Sequence, residues 1–346
     1  YMSRFPSSSH RRPITRRTEA APVTQRSTSL NCVPSDSASM SDPGGWRALH
    51  IHLPPSVQSE YLADVILPSM SALMPEHDYF FLRYWQGGSH LRLRLRSTPE
   101  RPLDDEAINE VACHLRSLLP ALSDQKRAEY RYSQSLQDQL AEMERADCLP
   151  LEAVGTVVER RYQPEYRKYG GSVGVSIAED VFCSTSRSVL RILSERPTSH
   201  RQPLGYACQV FIQMLGCLGL ATSQVDQFLT RYAQWWTPYS MAARPEILAA
   251  RLYANLSSVV ADLWAASEPN GMFSVPALNA YTQWSRRRSS ARNTSVKIDP
   301  MFLSCLANYI HTTNNRLGLP PALESTAAYL VQLGFRSVAV RGEKVR

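Results

Sequence analysis

The chain has 346 residues, 43% apolar and 20% charged, enough for one large domain with a buried core, and this composition excludes disorder throughout. No apolar run approaches the roughly 18 residues of a membrane span, and 23 prolines and 15 glycines carry no collagen or low-complexity bias. Thirty-eight Lys+Arg against 31 Asp+Glu give +7, which on its face fits an acidic partner such as nucleic acid or an anionic peptide.

Residues 1–39 carry six arginines against Glu19 and Asp36, so more than half of that excess lies in a Ser-rich leader with little to bury. We read residues 1–45 as a disordered basic tail, 46–335 as the folded domain and 336–346 as a basic C-terminal tail. The tail fits a basic arm, or sequence upstream of a start at Met40, better than a transit peptide. Trp46 to Leu53 alternates Leu49, Ile51 and Leu53 with His50 and His52, the period of a half-buried strand. A helical stretch over 56–74 follows, with a kink or break at Pro68. Tyr79–Tyr84 and His90–Arg96 are strand-like runs joined through Gly87-Gly88, which supplies the positive φ of a hairpin turn. Beyond Pro99 the spacing predicts helices over 104–119, 128–144, 176–195, 205–220, 223–236, 245–266 and 322–333. A further helix ends at Leu317, with Asp299 as cap, Pro300 in its first turn and Gly318 at its stop. Ser285–Ser290 reads as a basic joint. Strands first and helices after make the fold class α+β, with an antiparallel sheet from the N-terminal hairpin region packed against a mainly helical remainder.

The seven cysteines form no CxxC pair and no zinc-finger spacing, so they read as thiols of a reducing, cytoplasmic setting, with neither a disulfide framework nor a metal site. Phosphate-cradling glycine loops, HExxH and GxSxG are absent. Three constellations remain. On the second hairpin strand, His90, Arg92, Arg94 and Arg96 share one face. A solvated edge suits Arg96, while Arg92 and Arg94 fit a bound carboxylate or polarised amide at least as well. Nucleic acid fits less well, because the chain from residue 40 onward carries only a small excess charge and no aromatic-basic interleaving. Glu165, Lys168 and Tyr169 precede Gly170-Gly171, which by itself reads more readily as a loop before a helix than as a site. His311 and Asn315 share a helix face at i,i+4 while Arg316 points elsewhere unless the helix frays, and a histidine there is as apt to be structural as to be a general acid/base.

Together these segments resemble the thiopeptide-type bacteriocin biosynthesis domain, which is also the C-terminal elimination domain of tRNA-dependent lantibiotic dehydratases. Phe80-Phe81-Leu82-Arg83-Tyr84 with Gly88, His90, Arg92 and Arg94 is similar to that family's FFxRY…HxRxR hairpin. Glu165 to Gly171 is similar to its ExxRYGG loop, Phe182 to Leu193 to its next helix, and His311 to Arg316 to its HxxxNR helix. The resemblance implies action on a ribosomally made precursor peptide with a leader, without a metal, cofactor, nucleic acid or membrane. It leaves the oligomeric state open. It implies either of two activities, and the chain, lacking a glutamylation region, reads as a stand-alone member. One is a pyridine synthase that joins two dehydroalanines by a formal [4+2] aza-cycloaddition and then loses water and leader. In that role His311, Tyr84 and Tyr169 would move protons, Arg92 and Arg94 would orient carbonyls, and Arg83, His90, Glu165, Lys168, Asn315 and Arg316 would bind substrate. The other is elimination of glutamate from glutamylated Ser or Thr, with His311 or Lys168 as base. A third reading is a non-catalytic leader-binding module. Lys168 stands where the loop motif has Arg, which keeps the charge but loses the planar fork that grips a leaving carboxylate, and this favours the pyridine-forming branch. The leader surface is expected on the helices after Pro99 or at Arg286–Arg288.

Overall fold

The computed structural model describes residues 45–144, 149–195, 202–216, 218, 220–240, 244–265, 271–273, 278 and 300–340. The N-terminal tail, the Ser285–Ser290 joint with Arg286–Arg288, and the Asp299 cap lie outside the described residues. The fold is α+β. Strands β1 (Trp46–His52), β2 (Tyr79–Tyr84), β3 (His90–Arg96) and β4 (Val157–Arg160) form an antiparallel sheet in the order β2-β3-β1-β4. The fourth strand was not legible in sequence: four residues are too few to show a period.

The period of two on β3 sorts the sheet into two faces. Leu49, Ile51, Leu91, Leu93 and Leu95 are at most 1% exposed and join one core with the helices that follow β1 and β3. The first of these runs as α1 (Pro55–Tyr61), a π turn over Leu62–Ile66 and α2 (Leu67–Leu73). Pro68 has no N–H to give the carbonyl of Asp64, and the π turn directly before it absorbs that loss without ending the helix. Next comes α3 (Asp105–Ser117), capped by the Asp104 carboxylate, which accepts from the Ala107 amide at 2.8 Å. Helix α4 (Asp124–Glu144) starts four residues ahead of expectation because the Ser123 hydroxyl accepts from the Lys126 amide.

A short turn, α5 (Tyr166–Tyr169), leads through Gly170 (φ 82°) into α6 (Ser172–Ser194). The left-handed Gly170 ends α5, and α6 begins four residues earlier than its apolar spacing indicated. Helices α7 (Gln202–Gly216), α8 (Thr222–Trp236), α9 (Pro245–Ala265), α10 (Pro300–Leu317) and α11 (Glu324–Val340) follow among the described residues. In this half, α11 packs on α7, α8 and α9, while α10 packs on α6 and α7 and meets β2. The expected domain end at residue 335 falls inside α11: Val338 is buried and Arg336 forks onto Asp226 at 2.6 and 3.1 Å. Residues 336–340 therefore extend a packed helix, not a tail.

Candidate active site on the sheet face and the α10 helix

The polar face of β3 lies against Ala48, His50 and His52 of β1 and Phe80, Leu82 and Tyr84 of β2. His90 sits at the start of β3, opposite His52 and Tyr84, its ring stacked on those of His50 and His52, each 4.7 Å away. Its Nδ1 donates to the Gly88 carbonyl at 2.7 Å, so Nε2 keeps its lone pair and accepts from Arg92 Nε at 3.1 Å. The Arg92 guanidinium lies flat on Tyr84, 3.3 Å from the ring centroid. These two contacts fix the plane of the fork. Burial pulls His52 down to about 4 and His90 to about 3, and pulls His50 down in the same direction with help from the His90 and Arg92 charges. The three rings are therefore neutral at pH 7. Burial also lowers Arg92, to about 10, so it still carries its charge there.

Arg94 lies between the rings of Tyr162, at 4.4 Å, and Phe80, at 5.1 Å, and its Nε is buried without a hydrogen-bond partner among the described residues. Burial lowers its pKa, against the opposing pull of Tyr162, Glu165 and Glu179. Buried Glu179 accepts from the Tyr162 hydroxyl at 2.9 Å, which places an anion behind that cation. Arg96 pairs with Asp78 at 3.1 Å and Asp180 at 3.0 Å, but it stands on an interior strand with its guanidinium over Trp46, so its role is ion pairing and not that of a solvated edge.

In the 162–171 segment, Lys168 Nζ reaches Glu165 at 3.0 Å. Tyr169, expected to handle protons, is 3% exposed, stacked on Tyr309 at 5.8 Å, and burial pushes its phenol well above the usual range. Its placement gives it a packing role.

The α10 helix divides its three motif residues between two tasks. His311 Nδ1 lies 3.0 Å from Glu324 Oε1, and its ring stacks on Trp236 at 4.3 Å. Asn315 instead faces the free edge of β2: its Oδ1 accepts from the Arg83 amide at 2.9 Å and its Nδ2 donates to the Arg83 carbonyl at 3.0 Å. Arg316 is fully buried and donates from Nε to the Phe81 carbonyl at 2.7 Å, while Ser186 Oγ accepts from the Phe81 amide at 3.2 Å. Side chains from α6 and α10 thus satisfy an edge that would otherwise present bare backbone groups. Arg83 points to the sheet face opposite Arg92 and donates to the Arg316 carbonyl at 3.2 Å and Ser59 Oγ at 3.0 Å. Arg83 and Asn315 thus hold α10 to the sheet, and Arg316 joins them through Nε while its Nη2 is buried without a hydrogen-bond partner among the described residues; substrate binding by the three stays an expectation. That clamp sets His311 one helical turn, about 6 Å along the axis, from the β2 edge beside Tyr84.

Sequence reasoning missed Glu324, His50 and His52. The alternation over Trp46 to Leu53 already put the two histidines on one face, and only the strand order, unknown from sequence, brings that face against His90. Among the described residues no cluster of His, Cys, Asp or Glu has metal-holding geometry, and no helix is long and apolar enough to cross a membrane. Cys183 and Cys208 are buried, and burial pushes both thiols up to about 12, which suits inert packing.

Residues 46–333 match the family described as "Lantibiotic biosynthesis dehydratase C-term". The chain belongs to this family. Among solved structures, the family fold is shared with the pyridine synthase TbtD from thiomuracin biosynthesis, at 20% identity and a TM-score of 0.64, over 86% of this chain and 99% of that one. The tRNA-dependent lantibiotic dehydratase MibB from Microbispora sp. 107891 matches at 18% identity and a TM-score of 0.54, over 89% of this chain but only 29% of its own. TsrL matches at 21% identity and a TM-score of 0.51, over 87% and 98%. No curated protein matches the sequence.

Proposed function

We propose that this family member is a pyridine synthase of thiopeptide biosynthesis whose working unit is residues 46–340. It joins two dehydroalanines of a ribosomal precursor peptide by formal [4+2] aza-cycloaddition, and the product is the linear peptide less one water and the leader, released as its amide. The observation that carries the reading is the Lys168–Glu165 pair at 3.0 Å. Where the elimination loop motif holds a guanidinium for a leaving carboxylate, this chain holds an ammonium already matched by an anion. The near end-to-end correspondence with the thiomuracin pyridine synthase supports the same branch.

In this reading Arg92 and Arg94 donate to amide oxygens, stabilising the imidic form in which one dehydroalanine acts as the azadiene. His311 takes the amide proton, and Tyr84 returns a proton as water departs. The Tyr84 ring packs against the apolar alkenes and helps hold them in register, and such positioning is the larger part of the catalysis for a reaction between two fixed partners.

The test is incubation of the protein with a leader-bearing peptide that carries two dehydroalanines, and separately with a glutamylated peptide. Mass spectrometry showing a macrocycle and free leader amide is the expected result. Free glutamate instead overturns it in favour of the elimination lyase, for which two guanidiniums beside neutral imidazoles would hold the carboxylate. Leader binding with neither peptide changed leaves the non-catalytic module.

A further inference from the structure

We propose that Glu324 is the positioning residue for His311, and that it selects the ring tautomer able to act as base; this rests on the base role given to His311 above. The carboxylate is fully buried at the first position of α11, where the helix N-terminus favours negative charge. It accepts from three side chains. Oε1 faces His311 Nδ1 at 3.0 Å, while Oε2 takes the Tyr232 hydroxyl at 2.7 Å and the Asn314 amide at 2.9 Å. Burial and the Glu324 charge push the Tyr232 phenol well above its usual range, so it stays protonated and can only donate to the carboxylate. A carboxylate surrounded by donors has no proton of its own to give, so Nδ1 must carry the hydrogen. Nε2 then holds the lone pair, and it makes no hydrogen bond to any described residue. Trp236, stacked at 4.3 Å, fixes the ring plane, and a fifth of the His311 side chain stays open to solvent. One nitrogen is thus anchored, one face is covered, and the basic nitrogen alone is presented outward.

Substituting Glu324→Gln separates this from a packing role. With the Tyr232 hydroxyl and the Asn314 amide still donating to an oxygen at the Oε2 position, as they do now, the new amide nitrogen falls at Oε1 and donates to Nδ1. That forces the proton to Nε2 and removes the base. Full-length protein labelled at the histidine ring nitrogens, with the His311 signals assigned by loss in His311→Asn, reports the tautomer directly by NMR. We expect Nδ1–H in the wild type and Nε2–H in Glu324→Gln, with kcat on whichever peptide turns over lowered about 10²–10⁴-fold at little change in KM. In Tyr232→Phe, which leaves the Oε1 contact in place, the ring should keep the Nδ1–H form. A wild-type ring in the Nε2–H form overturns the proposal, as does a folded Glu324→Gln protein with an unchanged ring or unchanged kcat. The wild-type ring measurement needs neither turnover nor the variant, so failure of the pyridine-synthase reading and failure of this inference are told apart.

Discussion

Acidification should destabilise this protein through the stacked histidines. His52 and His90 are 2% and 1% exposed, and burial holds them at about 4 and 3 against an ordinary value of 6.5. Below pH 6.5 the unfolded chain takes up protons that the folded rings refuse, so stability falls as pH drops and the loss is complete only once the folded rings themselves protonate, near 4 and 3. For one such imidazole the loss between pH 7.5 and 5 is about 2 kcal/mol, and for the pair about 4 kcal/mol, with His50 acting in the same direction. That is a large part of the roughly 5–15 kcal/mol that holds a typical domain together. Urea unfolding at pH 7.5, 6.5, 5.5 and 5 measures it. With a slope of about 3 kcal/mol per molar, the midpoint should fall by more than about 1 M. The His52→Gln protein keeps a donor toward Tyr130, whose hydroxyl lies 3.0 Å from His52 Nδ1, but it has nothing to titrate, so about half of the loss should disappear. Folded-state NMR titration of the rings near pH 6.5, or a His52→Gln midpoint that tracks the wild type across the whole range, refutes the reasoning.

Three further outcomes follow from the geometry. Asn315→Ala removes both hydrogen bonds to the Arg83 backbone and should cost about 2–3 kcal/mol, read as a lower melting temperature and faster amide exchange at Arg83; an unchanged melting curve would return Asn315 to a binding role. Arg92→Lys keeps the charge but cannot both lie flat on Tyr84 and donate in-plane to His90. Its kcat/KM on the peptide substrate should therefore fall at least about tenfold with the fold intact, and wild-type kinetics would remove Arg92 from the site. Gly88→Ala places a Cβ against the Tyr130 hydroxyl and Leu151 at a φ of 96°, so the hairpin turn must shift; a loss of about 2 kcal/mol or more is expected in urea unfolding, and a neutral result would mean that the turn is not held against α4.

The strand period of the hairpin was legible because it is local: Leu91, Leu93 and Leu95 against His90, Arg92 and Arg94 needs only the alternation of side chains, and the two faces follow. The family was legible for the same reason, since its motifs are short and ordered along the chain. Legibility stopped where a residue's task is set by a partner far away in sequence. His311, Asn315 and Arg316 read as one motif, yet the helix splits them. Asn315 meets the β2 edge 232 positions away, and Arg316, one residue on, reaches Phe81 across 235 positions. Neither could be told from a ligand-binding residue, because an amide or a guanidinium binds a backbone carbonyl of its own chain and a substrate carbonyl with the same chemistry. Glu324 lies only 13 positions after His311, but the Pro320-Pro321 break hides their register: a pattern of i,i+4 pairs cannot cross a turn. What sets Asn315 apart from the groups given roles under Proposed function is whether its polar atoms are already satisfied among the described residues. Asn315 spends both its donor and its acceptor on the sheet edge, whereas the terminal nitrogens of Arg92 and Nε2 of His311 are held in position by contacts made through their other atoms.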